Sequence, residues 1–196
     1  MSKGRLEAFS DGVIAILITI MVLELHVPHG DDLAALAPLT PVFLTYILSF
    51  VYLGIYWNNH HHMLQLTSRI NGGVLWANLH LLFWLSIVPF VTGWMGENHF
   101  SEVPTAIYGV VLLMCAISYT ILQETIIRAQ GPHSTLRAAI GGDRKGKISL
   151  MFYICAIPLA FVHREISQVL YIIVALTWLV PDRRIEHQLD DRPTRT

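Results

Sequence analysis

Charge is scarce in this sequence. Asp, Glu, Lys and Arg make up only 14% of its 196 residues, against about 25% in soluble domains, and that deficit excludes an ordinary water-soluble fold. Cysteine is scarcer still: Cys115 and Cys155 are the two present, both inside long apolar stretches. A disulfide framework is thereby excluded, and the two read as packing residues. No G-x-S-x-G, P-loop, dinucleotide fingerprint or H-E-x-x-H occurs, which leaves no catalytic constellation, no enzyme and no need of a cofactor. Linkers, low-complexity tracts and internal repeats are also missing, so residues 1–196 read as a single domain. Glu7 and Asp11 stand where the apolar centre of a secretion signal would begin, and no small-x-small cleavage site follows. The first segment is expected to remain in the mature protein.

What the sequence does hold is apolar residues, 54% of the total, in long blocks separated by short polar stretches. That is the pattern of a multi-pass helical membrane protein embedded in a lipid bilayer. The blocks predict an all-α fold of six transmembrane helices: residues 6–27, ended by Pro28; 40–63, with Pro41 in the first turn; 74–95, containing Pro89; 104–129, before Gly131-Pro132; 147–162; and 166–180, stopped by Pro181. The last two are joined by a tight turn at His163-Arg164-Glu165 and, at roughly 24 Å each, are short for a bilayer.

Orientation follows from basic residues, which favour the cytoplasmic side. Of the 13 Lys and Arg residues, Arg164 alone falls on one side of this topology. Lys3, Arg5, Arg69, Arg128, Arg137, Arg144, Lys145, Lys147, Arg183, Arg184, Arg192 and Arg195 fall on the other. Both termini are therefore expected in the cytoplasm. The outer loops instead carry Asp31, Asp32, Glu97, Glu102 and Glu165, which would raise the local cation concentration if they act together and are otherwise ordinary polar loop residues. No nucleic-acid partner is expected.

The first helix carries most of the chemistry. On a wheel of 100° per residue, Ile16, Ile20 and Leu23 form one stripe bordered by Thr19, whereas Asp11 lies about 140° from Ile16. A carboxylate near the start of a span is costly unless it faces water or a partner. Partners are available in "YWNNHHHM" (Tyr56 to Met63) and "VLWANLHLLFW" (Val74 to Trp84). Asp11 with Trp57, His61 and Asn78 would make a hydrogen-bonded clasp among three helices; a proton relay through Asp11 is the other reading. The run His60-His61-His62 does not point to a metal, because consecutive helical residues diverge by about 100°. A pairing of His62 with His80 is the nearest arrangement that would.

"RLEAFSDGVIAILITIMVLEL" (Arg5 to Leu25) carries R-x-x-x-F-S-D followed by I-x-x-T-I-x-x-L. Together with "YWNNHHHM" and "LWANLHLLFWLSIVPFVTGW" it resembles a prokaryotic member of the endolysosomal potassium-channel family of the transmembrane protein 175 type. The distinctive match covers about the first half of the chain. The resemblance implies a homotetramer for a chain with one set of six spans, placed in a bacterial or archaeal cytoplasmic membrane. It implies a central pore lined by the first helix and a potassium-permeable leak, with K+ as the permeant ion and no cofactor. By position it makes Ile16, Ile20 and Leu23 the constriction and Thr19 the hydroxyl layer, with Arg5, Phe9, Ser10 and Asp11 holding the pore helix against Trp57, His61 and Asn78. The sequence has no TVGYG-type carbonyl filter, so an apolar ring gating by dewetting is the expected bottleneck. Without the resemblance, the aliphatic stripe reads as ordinary helix packing. The rival function is a proton-coupled cation or metal transporter using Asp11, His61 and His80, although the inverted repeat common in such proteins is missing.

Overall fold

Each apolar block becomes a helix from the point where a polar side chain can cap it. The computed structural model describes residues 2–132, 134–141 and 143–179. Val180, Pro181, Arg183, Arg184, Arg192 and Arg195 lie outside the described residues. Among the described residues seven α-helices run in order: α1 (Lys3–Ile20), α2 (Thr40–Gln65), α3 (Gly72–Glu97), α4 (Glu102–Gln130), α5 (Thr135–Ile140), α6 (Arg144–Leu159) and α7 (Arg164–Leu179). Two 3-10 segments add to them, Met21–Glu24 continuing α1 and Leu33–Leu39 leading into α2. There is no strand among the described residues.

Caps explain where these boundaries differ from the sequence expectation. Asn71 accepts a hydrogen bond from the Val74 amide at 2.9 Å and starts α3 two residues early. Asp143 accepts from the Gly146 amide at 3.1 Å, so α6 begins at Arg144 and not at 147. The helix ends at Leu159, beyond which Phe161 and Val162 bond only three residues back, to Pro158 and Leu159, and tighten the chain into a turn. The turn into α7 is thus Ala160–His163, and Arg164 and Glu165, expected in the turn, open the helix. Helix α5 has no counterpart in the expected spans. Ser134 caps its first turn and Gly141, at φ 58°, ends it, a backbone conformation natural to glycine.

Among the described residues, four segments are long and apolar enough to cross a membrane: Lys3–Glu24, Leu33–Gln65, Gly72–Glu97 and Glu102–Gln130. Helices α6 and α7 have 16 residues each. Cross-helix hydrogen bonds set the directions. Asn78 on α3 meets Ser10 on α1, His60 on α2 meets Asn78, and Tyr119 on α4 reaches the Asn59 carbonyl. Successive helices α1 to α4 therefore run antiparallel to one another. Helix α3 is central, packed on α1, α2 and α4, and the α6–α7 hairpin packs on α4 through α6 and on both α2 and α4 through α7. Leu81, Leu85, Leu112, Cys115 and Leu122 fill the interior. Cys155, in contrast to its expected packing role, is exposed on α6.

A second polar knot ties the other half of the bundle. Thr92 Oγ1 donates to Ser49 Oγ at 2.6 Å, and Ser49 shares a hydrogen bond of 2.9 Å with Tyr108, joining α3, α2 and α4 where no water can substitute. Near this level α2 and α3 approach closely over Gly96, where an added Cβ would lie 2.7 Å from Val42 Cα and 2.6 Å from Thr45 Oγ1. Small residues allow such backbone contact between membrane helices. Gly96→Ala should accordingly lower the melting temperature of the purified protein in detergent, with an overpacking penalty of about 1–3 kcal/mol.

Candidate functional site

Helix α1 has two faces of different character. Leu6, Ser10, Ile14, Leu17 and Met21 are buried, a spacing of three to four residues that keeps one stripe against α2 and α3. On the opposite side Phe9 is 50% exposed, Ile16 62%, Ile20 44% and Leu23 72%, with Thr19 also exposed. The three aliphatic residues and the threonine thus share one outward stripe in the single chain. Thr19 Oγ1 donates back to the Ala15 and Ile16 carbonyls, both at 3.0 Å. Its hydroxyl proton is committed to the helix, and what it presents outward is oxygen lone pairs.

The clasp differs in membership from the sequence expectation. Asp11 Oδ1 accepts from Trp57 Nε1 at 3.1 Å. Asn78 does not reach Asp11: its Nδ2 donates to Ser10 Oγ at 3.0 Å, and its Oδ1 accepts from His60 Nε2 at 2.7 Å. The imidazole inside the network is therefore His60, which is buried, and not His61. His61 stacks on Trp57, with ring centroids 6.1 Å apart and 20° between planes, and hydrogen-bonds Gln65 at 2.8 Å. One helical residue is 100°, so the neighbouring histidine points between helices while His61 stays beside the indole at the surface. Ser10 and Asn78 are both fully buried, and Nδ1 of His60 is buried with no partner.

Phe9 is placed on the outward stripe, not in the clasp. It precedes Ile16 by seven residues, about two turns, and so falls on the same side. Arg5 is exposed. Lys3, which sequence reasoning did not single out, donates from Nζ to the Gln65 carbonyl at 2.9 Å and tethers the start of α1 to the end of α2. His80, the proposed transporter ligand, accepts from Trp84 on its own helix at 3.1 Å. No three His, Cys, Asp or Glu side chains among the described residues converge as a metal site. The polar cluster is thus a set of helix-to-helix ties, with a row of exposed apolar side chains on the face behind it.

The sequence profile described as "Endosomal/lysosomal potassium channel TMEM175" matches residues 5–89, which include α2 and most of α1 and α3. A potassium channel of Chryseobacterium sp. (strain P1-3) is 56% identical over 191 residues, covering 97% of this chain and 100% of the relative. The chain belongs to the TMEM175 potassium-channel family. A potassium channel of Streptomyces collinus is 30% identical over 185 residues, 89% of this chain and 90% of that one. Bovine endosomal/lysosomal proton channel TMEM175 is 30% identical over 181 residues, but the match spans only 37% of its length. The crystal structure of a lysosomal potassium-selective channel TMEM175 homolog from Chamaesiphon minutus superposes with a TM-score of 0.80 at 28% identity. It covers 92% of this chain and 97% of that one. The TMEM175 relatives and fold are those of ion channels, not enzymes.

Asn78 is the hub of the ties in this TMEM175 chain, serving Ser10 and His60 at once. Asn78→Leu should leave both groups buried without partners and destabilise the fold by about 1–3 kcal/mol per orphaned group. Thermal unfolding in detergent checks this. The Asn78→Leu/Ser10→Ala double variant should lose less than the sum of the single losses, because the serine has no partner left to lose.

Proposed function

We propose that four copies of this chain assemble into a potassium-permeable leak channel in a prokaryotic cytoplasmic membrane. Each chain contributes six spans with both termini on the cytoplasmic side. Helix α1 of every copy faces the central axis; Ile16, Ile20 and Leu23 form successive apolar rings, and Thr19 contributes a layer of hydroxyl oxygens between them. Helices α6 and α7, short for a bilayer, complete the count as a hairpin. The potassium-channel names of the bacterial relatives and of the homologous crystal structure support this assignment of the permeant ion.

One observation carries the reading: α1 turns its aliphatic stripe away from its own bundle while its buried stripe is tied to α2 and α3. A surface-exposed helix of this kind meets lipid or other copies of itself. Thr19, a polar residue within the stripe, together with the family's channel function, favours the axis. An apolar ring passes ions only when it is wide or wet enough to admit water, so it gates by dewetting, and it discriminates between K+ and Na+ less than a carbonyl filter would. Asp11 and His61 meet only through the indole of Trp57, and His80 is bonded to Trp84 on its own helix, an arrangement that does not favour a coupled transporter's shared site.

Ion flux into liposomes containing the purified protein tests the reading directly. Passive, non-saturating K+ flux is expected, and flux that saturates at low substrate or needs a proton gradient would favour the transporter. In planar bilayers, Ile16→Asn and Leu23→Asn should hydrate the constriction, raise conductance and move the K+/Na+ reversal potential toward zero. Unchanged conductance and ion preference in both variants would remove α1 from the pore. Asp11→Ala should weaken assembly or gating, read as loss of tetramer in size-exclusion chromatography with light scattering.

A further inference from the structure

Beyond Ile20 the backbone of α1 tightens into the 3-10 turn Met21–Glu24. In that geometry residues three apart eclipse one another, so Glu24 stacks over the fully buried Met21 and continues the stripe that faces α3. A carboxylate thus stands where the packing pattern would place an apolar residue. Space for it is made by Gly93 on α3: a Cβ there would lie 2.6 Å from Glu24 Oε2. No described residue donates a hydrogen bond or forms an ion pair with the Glu24 carboxylate. It opens instead into a cavity of about 430 Å³ between α1 and α3, whose wall includes Ile20, Phe90, Trp94 and Glu97. Ionisable side chains in spans are rare, turn toward the bundle interior or a cavity, and mark ion pathways.

We propose that Glu24 sets cation entry at the outer mouth. This rests on the pore reading above, in which Ile20 and Leu23 line the axis. Each carboxylate, held in its glycine notch one turn beyond Ile20, acts through its field on K+ in the adjoining cavity, whose wall it shares with Ile20, and raises the cation concentration ahead of the apolar rings. The low-dielectric helix walls focus that field. The ion is attracted and released without a dedicated ligand cage, which suits fast passage. Glu97 in the cavity wall, Asp31 and Asp32 before α2, and Glu102 at the start of α4 are exposed at the surface and contribute a weaker, more screened background.

The signature of such a residue is its dependence on salt, because the screening length falls from about 30 Å at 0.01 M to about 3 Å at 1 M. Planar-bilayer recordings of the full chain in symmetric KCl at about 0.01 M and about 1 M read it. Glu24→Gln should cut inward K+ conductance about threefold or more in dilute salt and leave it nearly unchanged in concentrated salt. Glu24→Asp, which retains the charge, should stay close to wild type at both. Gly93→Ala, which displaces the carboxylate but keeps it, should lose less than Glu24→Gln. An equal loss for Glu24→Gln at both concentrations, or an equal loss for Gly93→Ala, would make the residue a packing element and overturn the proposal. No loss at all would overturn it too. In the wild type, conductance must fall less than in proportion to KCl on dilution; a proportional fall overturns the proposal without any variant. A wild-type protein that passes no K+ would sink the channel reading itself, whereas normal wild-type currents with an indifferent Glu24→Gln sink only this one.

Discussion

The rotation of α1 about its own axis is the constraint on which the rest depends, and the Asn78 carboxamide fixes it. Its two ends are used at once, donating to Ser10 and accepting from His60, in a place from which water is excluded. A helix turned by one residue would carry Ser10 about 100° away and leave two or three polar groups without partners in a low-dielectric interior, at a few kcal/mol. That penalty exceeds what a single aliphatic contact on either face can return. With the rotation set, Leu6, Ile14, Leu17 and Met21 must pack inward, and Ile16, Ile20 and Leu23 must point out.

Polar ties of this kind occur at two depths, and they divide the labour. The Ser10–Asn78–His60 chain and the Asp11–Trp57 bond hold α1 near its start. The Thr92–Ser49–Tyr108 chain holds α2, α3 and α4 toward the opposite end. Helix association in a bilayer has little hydrophobic driving force, since lipid is as apolar as leucine. Buried hydrogen bonds and close glycine contacts such as Gly96 on Val42 supply register instead. The result is a rigid scaffold with a row of apolar side chains on one helix left for other surfaces, which suits a pore whose narrow point is made by side-chain bulk in the proposed tetramer.

Much of this was legible residue by residue. Apolar block length and proline punctuation located the long helices, and the seven- and four-residue spacings placed Ile16, Ile20 and Leu23 together. What escaped were details decided by neighbours. His60 and His61 are equivalent in sequence, and only the position of Asn78 on α3 selects the first. Phe9 sits between Ala8 and the buried, inward-bonded Ser10 of the same motif, yet its azimuth puts it outside. Helix α5 and the true start of α6 follow from Ser134 and Asp143 capping hydrogen bonds, signals present in the sequence but too short to stand out beside the apolar blocks. Glu24 passed unnoticed because a carboxylate at a span end looks like ordinary interfacial polarity until Gly93 is found beside it.

By itself the sequence determined that this is an apolar, all-helical chain with a two-faced first helix and no machinery for covalent chemistry. Those properties are local: hydropathy, the 100° step and the identity of side chains need no knowledge of the fold. Which face of α1 is buried, which histidine joins the network, and which carboxylate is left without a partner were decided only by the tertiary structure. They turn on contacts between groups some 18 to 70 residues apart in the chain, and whether two such groups come within hydrogen-bond reach is set by how the helices that carry them pack.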